Sequence, residues 1–584
     1  MASGRLVRWG TLVLAALLLA PLRPASAITR RDDRTDSLYT ALASNYAAVG
    51  TVLASGSSFG TGTLIAPNYV LTAAHVIRDY SVISFTLNGV TYEGAWGVPN
   101  PSWQNNTMFD WDIAVFRLKT PVVGVTPSPI YTNTDELTRT ATLVGYGMTG
   151  TGLTGAVEPQ GTKRACQNIL DAYGTGWGYT TQMLVADFDN GTTQKNRCGT
   201  PTPLNLEGLV GPGDSGGPVY IDVGGVSYIA GIITAVFGQE PLGQYGHSVA
   251  MTRVSSFDDW INGILSTAYD VCWTAGSGAF NTAANWQTTY MGQTKSTVPG
   301  LYDSAFFAGG GTYTVTWPAN DVTNSRLVVS DGNVTFNLNA RTYSLISSAT
   351  ASVAVGTAVG LNPSLTVTNG ILSADGVTLG ALAGASGSLI IGSGGTLQAS
   401  RLEVFGAATL DVFSGRTATI AGPNGAFSVG QGASFTKSGL GSLSITGPTA
   451  FGPGVTLDFD GGQTVLNLPV GDSATLGGAG SGFYLGPNAV FTLEGGGTLN
   501  FENPLELAAG ANFVVNNGNV IIGAPGDSTV TAVSAGVPTS LDIAVAGTGD
   551  AGWVSPLPAP VPEPATLTLL LAGAAAMLLR RRRA

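Results

Sequence analysis

A serine hydroxyl attacks a carbonyl only when a base takes its proton and backbone N–H groups hold the oxyanion that forms. Ser215 has surroundings suited to that chemistry. It stands in Gly211-Pro212-Gly213-Asp214-Ser215-Gly216-Gly217-Pro218-Val219, where glycines let the chain turn tightly and present the N–H groups of Gly213 and Ser215 to one oxygen. Leu71-Thr72-Ala73-Ala74-His75 supplies a base. Asp110-Trp111-Asp112-Ile113-Ala114-Val115 supplies a carboxylate to orient it. A histidine or aspartate alone is more often a packing or surface residue, but three such segments in the order His, Asp, Ser point to one site. The chain has only 2 histidines. The other, His247, lies in no comparable motif and is read as a pocket-rim or structural residue.

These segments resemble the trypsin-like serine proteases, with the resemblance running over about residues 28–270. It implies that His75 is the general base and acid, Asp112 its orienter, Ser215 the nucleophile, and Gly213 and Ser215 the oxyanion donors. It also implies a substrate pocket with Leu209, six residues before the nucleophile, at its floor and Val210 beside it. Thr234 and Val236 would stand on the far wall. An apolar floor argues against Lys or Arg substrates and for small or medium apolar side chains. The family's cysteine before the serine motif is replaced by Gly211, and the one after the histidine by Val76. Of the three cysteines, Cys166 and Cys198 are candidates for a disulfide, and Cys272 is expected to be free.

The elements that must position these residues read as β-structure. Thr63-Leu64-Ile65 and Tyr69-Val70-Leu71-Thr72 are short strands split by a Pro67-Asn68 turn, and Val226–Ile233 reads as a strand pair. A helix is expected over Ser255–Leu265, capped by Ser255 or Ser256, with Phe257, Trp260, Ile261, Ile264 and Leu265 on one face. The resemblance adds the arrangement: two antiparallel β-barrels with the site in the cleft between them.

Both chain ends carry targeting patterns. Arg5 and Arg8 precede the apolar run Leu12–Ala20 and the small residues Ala25-Ser26-Ala27, so residues 1–27 read as a secretory signal peptide. Cleavage after Ala27 would free Ile28. Trypsin-like enzymes activate when such a branched terminus pairs with the aspartate before the serine, here Asp214, so signal peptidase itself would complete the enzyme. The alternative is that Ile28–Tyr46 is a leader and activation differs. At the other end Pro562-Glu563-Pro564 opens an apolar run to Leu579, followed by Arg580–Arg583. Residues 561–584 resemble a PEP-CTERM sorting signal of Gram-negative bacteria, which implies a C-terminal membrane helix and recognition by an exosortase.

Residues 272–553 differ in composition: few Lys or Arg, much Gly, Ala, Ser, Thr and Val. The opening around Cys272-Trp273 and Asn285-Trp286 resembles the Trp-rich start of β-repeat modules in bacterial surface proteins, and the glycines from Gly276 onward are a candidate flexible joint. An apolar-Gly-apolar pattern recurs at Leu389, Phe427, Thr449, Phe483 and Leu505, with steps of 22 residues from 427 to 449 and from 483 to 505. That step suits one coil of a β-solenoid; a pair of β-sandwiches is the alternative. Asp187-Phe188-Asp189-Asn190-Gly191, and Asp458, Asp460 and Asp472, lack ligand spacing and read as solvated turn residues, so no metal is expected.

The expectation is an all-β protein: a signal peptide (1–27), a protease domain (28–270), a Gly-rich stalk (272–553) and a sorting segment (561–584). A net charge of −11 with no basic patch outside the ends argues against nucleic acid as a partner. No phosphate-binding glycine loop is present, and no cofactor is expected. The function implied is an exported serine endopeptidase acting on protein or peptide, with signal peptidase, exosortase and, through the C-terminal segment, the membrane as partners. Its place would be the cell envelope, surface or extracellular matrix. The alternative is an adhesion protein whose protease domain is self-processing or inactive.

Overall fold

Short β-rich runs broken by glycine and proline turns dictate a chain of hairpins, and the computed structural model shows them. It describes residues 28–541 apart from 55–57, 79–81, 104–108, 349–350, 424, 504, 509, 523–529 and 533–538. The expected signal peptide and the Pro562-Glu563-Pro564 segment lie outside the described residues. Among the described residues no helix is long and apolar enough to cross a membrane.

The chain begins with strand β1 (Ile28–Arg30) and helix α1 (Asp36–Ala43). Strands β2 (Val49–Ala54), β3 (Ser58–Ala66), β4 (Tyr69–Thr72), β5 (Ile83–Leu87), β6 (Val90–Pro99) and β7 (Ala114–Leu118) then close a barrel in the order β2-β3-β4-β7-β6-β5. The Pro67-Asn68 turn separates β3 from β4 as expected. Val52, Leu64, Val70, Leu71, Phe85, Val115 and Phe116 fill the interior.

Ten strands follow: β8 (Thr140–Gly145), β9 (Thr149–Thr151), β10 (Gly155–Glu158), β11 (Arg164–Ile169), β12 (Ala172–Tyr173), β13 (Met183–Asp187), β14 (Gly208–Leu209), β15 (Pro218–Val223), β16 (Val226–Phe237) and β17 (Ser248–Arg253). Seven of them form the second barrel, an antiparallel sheet in the order β11-β8-β15-β16-β17-β13-β12. β1 is threaded between β9 and β14 in a separate four-stranded sheet. Val226–Ile233 is therefore not a strand pair but part of one long strand, because its hairpin partner is β15.

Helix α2 (Asp258–Ser266) buries Ile261 and packs Trp260, Ile264 and Leu265 against the first barrel's core. Neither serine caps it. Phe257 is the residue before the first turn, and the Ser255 hydroxyl donates to Glu136 instead, at 2.5 Å.

From Asp270 onward, apart from Trp286–Tyr290, which pairs antiparallel with Asp270–Trp273 and Gln293–Lys295, the strands stack in parallel into a β-solenoid, the arrangement expected over the sandwich pair. The register gives the 22-residue step directly, with Phe427 beside Thr449 and Phe483 beside Leu505. Side chains alternate in and out, and the inward ones form columns: Leu365, Leu389, Leu410, Lys437, Phe459, Leu485 and Leu507 occupy one. Lys437 stands there without a carboxylate in contact. Its stem replaces an apolar side chain, and its ammonium donates to the carbonyls of Gly439, Gly441 and Gly461 at a coil corner. Burial pulls its pKa down to about 8.

The stack is closed by chain reversal. Val530–Ala532 and Thr539–Leu541 pair antiparallel with the last coils and cover edges that would otherwise present unpaired N–H and C=O groups. The glycines after Trp273 are not a joint. Gly278–Ala279 pairs in parallel with Val315–Thr316, and the Thr274 N–H donates to the Asn285 carbonyl at 2.9 Å.

Phe483 packs within 6 Å, centroid to centroid, of Phe459, Phe491, Phe501 and Phe513. Phe483→Ala is expected to cost about 3–5 kcal/mol in urea unfolding of the solenoid. An unchanged midpoint would mean that this column contributes no packing energy.

Candidate active site

The hairpin register delivers two of the expected residues together. β4 and β7 pair from Tyr69–Arg117 to Thr72–Ala114. Beyond that end of the ladder the chain on one side runs to His75, and on the other it comes from Asp112. The His75 Nδ1 and Asp112 Oδ2 atoms are 2.6 Å apart, and the His75 backbone N–H donates to Oδ1 at 2.8 Å. Asp112 is sealed while the His75 imidazole is 29% exposed, so of the pair only the imidazole reaches solvent. The second barrel fixes Asp112 from behind: Thr252 Oγ1 donates to its carbonyl at 3.1 Å, and Thr234 Oγ1 lies 2.9 Å from Thr252 Oγ1.

Ser215 arrives from the second barrel, half-buried on the loop before β15. Thr61 of β3 pins that loop from across the cleft. Its N–H donates to the Ser215 carbonyl at 2.8 Å and its Oγ1 to the Gly213 carbonyl at 3.1 Å, while Thr72 Oγ1 donates to the Thr61 carbonyl at 2.8 Å. The approach is close enough to demand glycine. A Cβ on Gly216, whose φ is +80°, would collide with Thr72 Oγ1 and the Thr61 carbonyl. A Cβ on Gly60 would lie 2.7 Å from Val76 Cγ1 and 2.9 Å from the Ser215 carbonyl. The serine loop therefore lies against β3 and against Thr72, three residues before His75. Asp214, Gly216 and Gly217 each donate a backbone hydrogen bond. Among the described residues the N–H groups of Gly213 and Ser215 have no such partner.

Asp214 is buried beneath this loop. The N–H groups of Gly147 and Gly211 donate to its two oxygens at 2.8 Å, and the Ile28 N–H donates to the carboxylate as well. Burial pushes its pKa up to about 7 against the pull of those three donors. Ile28 is fully buried, its carbonyl accepting from Thr149 Oγ1.

The four expected pocket residues separate. Leu209, paired with Thr29, and Val210 are sealed in the second barrel's core; Thr234 is buried on its hydrogen bonds; Val236 is half-buried toward the rim of β16. His247 is remote from the His75–Asp112 pair in its bonding. Its Nδ1 accepts from the Gln244 N–H at 3.3 Å, and its ring fills the space beside Gly238.

The Cys166–Cys198 disulfide is not formed. Cys166 is sealed on β11 against Gly208, whereas the Cys198 thiol faces carboxylates, 3.3 Å from Asp187 Oδ1. The reading of Asp187 and Asp189 as solvated turn residues also fails, since both are buried. Asp171, Asp187 and Cys198 place ligand atoms within 4.8 Å of one another, which makes them the group among the described residues able to hold a metal ion. Burial and the neighbouring carboxylates push Asp171 to about 7 and Asp189 to about 8. Burial pushes Glu207 to about 7 against the N–H groups of Asp189 and Leu204.

Residues 41–261 match the trypsin family model. This part of the chain is a trypsin-like serine protease domain. Among solved structures the chain is similar to neuropsin, a serine protease expressed in the limbic system of mouse brain, at 19% identity. That match covers 38% of this chain and 95% of the other, with a TM-score of 0.29.

Asp171, Asp189 and Glu207 hold protons in the folded state that they release in the unfolded one between about pH 4 and 8. Their contribution to stability is therefore greatest at the acid end of that window and is lost as pH rises through it. Thermal scans should show the melting temperature falling from pH 5 to pH 8, and Asp189→Asn should flatten the fall. A melting temperature that climbs over this range would contradict the assignment.

Proposed function

We propose that this protein is an exported serine endopeptidase that cleaves peptide bonds through an acyl-enzyme. The observation that carries the reading is the His75–Asp112 pair, a partly exposed imidazole held by a sealed carboxylate, on a barrel whose Thr61 holds a serine loop in which, among the described residues, the Gly213 and Ser215 N–H groups have no backbone partner. Ser215 Oγ attacks the carbonyl as His75 takes its proton. The two N–H groups hold the oxyanion, and His75 then returns the proton to the leaving amine. Water, deprotonated by the same base, releases the acid.

Ile28 and Asp214 form the activation switch in this reading. Freed as a terminus, Ile28 would carry an ammonium to the place where its N–H already meets the buried carboxylate. That would supply the charge three neutral donors lack. Signal peptidase acting after Ala27 makes that terminus. The Pro562-Glu563-Pro564 segment then takes the protein to an exosortase, with transient anchoring at the inner membrane and display or release at the cell surface.

Fluorophosphonate labelling of the mature full-length protein tests the chemistry. The wild type should label, and Ser215→Ala should not. His75→Ala should label and turn over about 10⁴-fold or more slowly. A folded wild type that does not label would leave the adhesion reading in its place. Mass-spectrometric sequencing of the secreted chain should find Ile28 first; an active enzyme starting elsewhere would refute the signal-peptidase switch.

A further inference from the structure

Arg117 is the largest charged side chain sealed inside the described part of the chain, and the first barrel that contains it offers no carboxylate for it. Its counter-ion is Asp303 of the solenoid, through Nη2–Oδ2 and, at 3.4 Å, Nη1–Oδ1. Arg117 Nε donates to Thr297 Oγ1 at 3.2 Å and Nη2 to the Val298 carbonyl at 3.1 Å. Asp303 is held in turn by the N–H groups of Tyr269, at 3.0 Å, and Gly300, at 2.6 Å. Around the pair, the guanidinium lies 5.0 Å from the Trp96 ring and 5.5 Å from Tyr269, and Trp96 of the barrel stacks on Tyr290 of the solenoid at 4.7 Å. The backbones join as well, Val298 N–H to the Lys119 carbonyl at 2.8 Å.

This contact sits at one end of the β4–β7 ladder. Arg117 pairs with Tyr69, and its Nη1 donates to the Tyr69 hydroxyl at 3.2 Å. His75 and Asp112 lie just past the other end. From Arg117 to Asp112 is five residues of chain, at most roughly 17 Å. A buried charge robbed of its partner is strongly unfavourable, so the barrel face relieves it by admitting water, and the ladder loses its fixed end.

We propose that the seated solenoid is part of the protease's working structure. Arg117 and Asp303 are positioning residues that anchor the β4–β7 ladder and thereby hold the His75–Asp112 pair in register with Ser215. The inference rests on the serine-protease reading, and wild-type labelling by the fluorophosphonate probe checks that reading separately.

The test uses the full-length chain and follows probe labelling rate against pH, with circular dichroism as the control for folding. Asp303→Asn is expected to slow labelling about 10- to 100-fold and to displace the acid limb of the profile, which reports the protonation of the base. Arg117→Met combined with Asp303→Leu removes the charge and its partner together and is expected to recover most of the rate. A role confined to stability would lower the melting temperature and leave the acid limb in place. Where Asp303→Asn does not fold, Thr297→Val, which keeps the ion pair and removes the hydroxyl that accepts from Nε and donates to the Leu118 and Val298 carbonyls, takes its place with a smaller displacement in the same direction. A folded variant of either kind with wild-type rate and acid limb overturns the proposal, provided the wild type labels.

Discussion

Ser215 and His75 arrive on different barrels, so the candidate site exists only while the two barrels keep a fixed contact. Thr61 is the residue through which that contact runs. Its N–H and hydroxyl hold two carbonyls of the serine loop, and its own carbonyl accepts from Thr72, three residues before the histidine. Each of these bonds is modest alone, about 1 kcal/mol net. Together with glycines that let the backbones approach, they turn two separately folded sheets into one reaction geometry. Thr252 repeats the device on the far side, carrying a hydrogen bond from the second barrel to the carbonyl of Asp112.

The solenoid is organised by a different rule. Each coil satisfies its backbone through its neighbours and contributes one residue to each interior column. A lysine can occupy such a column when three carbonyls converge on its ammonium. The first coils do more than start the stack. Asp303 supplies the counter-ion for Arg117 sealed in the barrel, and Tyr269, at the junction, lays its ring beside the guanidinium.

Much of this was legible from residue types and spacing. The His75, Asp112 and Ser215 segments could be read because the chemistry restricts what may surround a serine nucleophile. The solenoid step could be read because stacked coils force apolar residues back to the same place every turn, and the register at Phe427 and Phe483 follows it. What escaped depends on partners distant in sequence. Arg117 and Asp303 are 186 positions apart, and nothing local marks either as buried. Asp187 and Asp189 resemble turn residues because of the Asn190-Gly191 that follows, and only the fold draws Glu207 and Cys198 over them. The cysteines misled for the same reason: sharing a barrel does not bring two thiols together.

The layers of one solenoid face run from Gly278–Ala279 to Leu505–Leu507 through ten strands paired in parallel. At about 4.8 Å per layer that is a post of roughly 40 Å. A flexible tether of similar reach would let a catalyst sample a whole sphere around its attachment. A stiff post seated on the barrel instead gives the cleft one height and one bearing relative to the far end. Anything that reaches both the cleft and the far end must then span a distance that the post sets, a constraint that no residue beside Ser215 encodes.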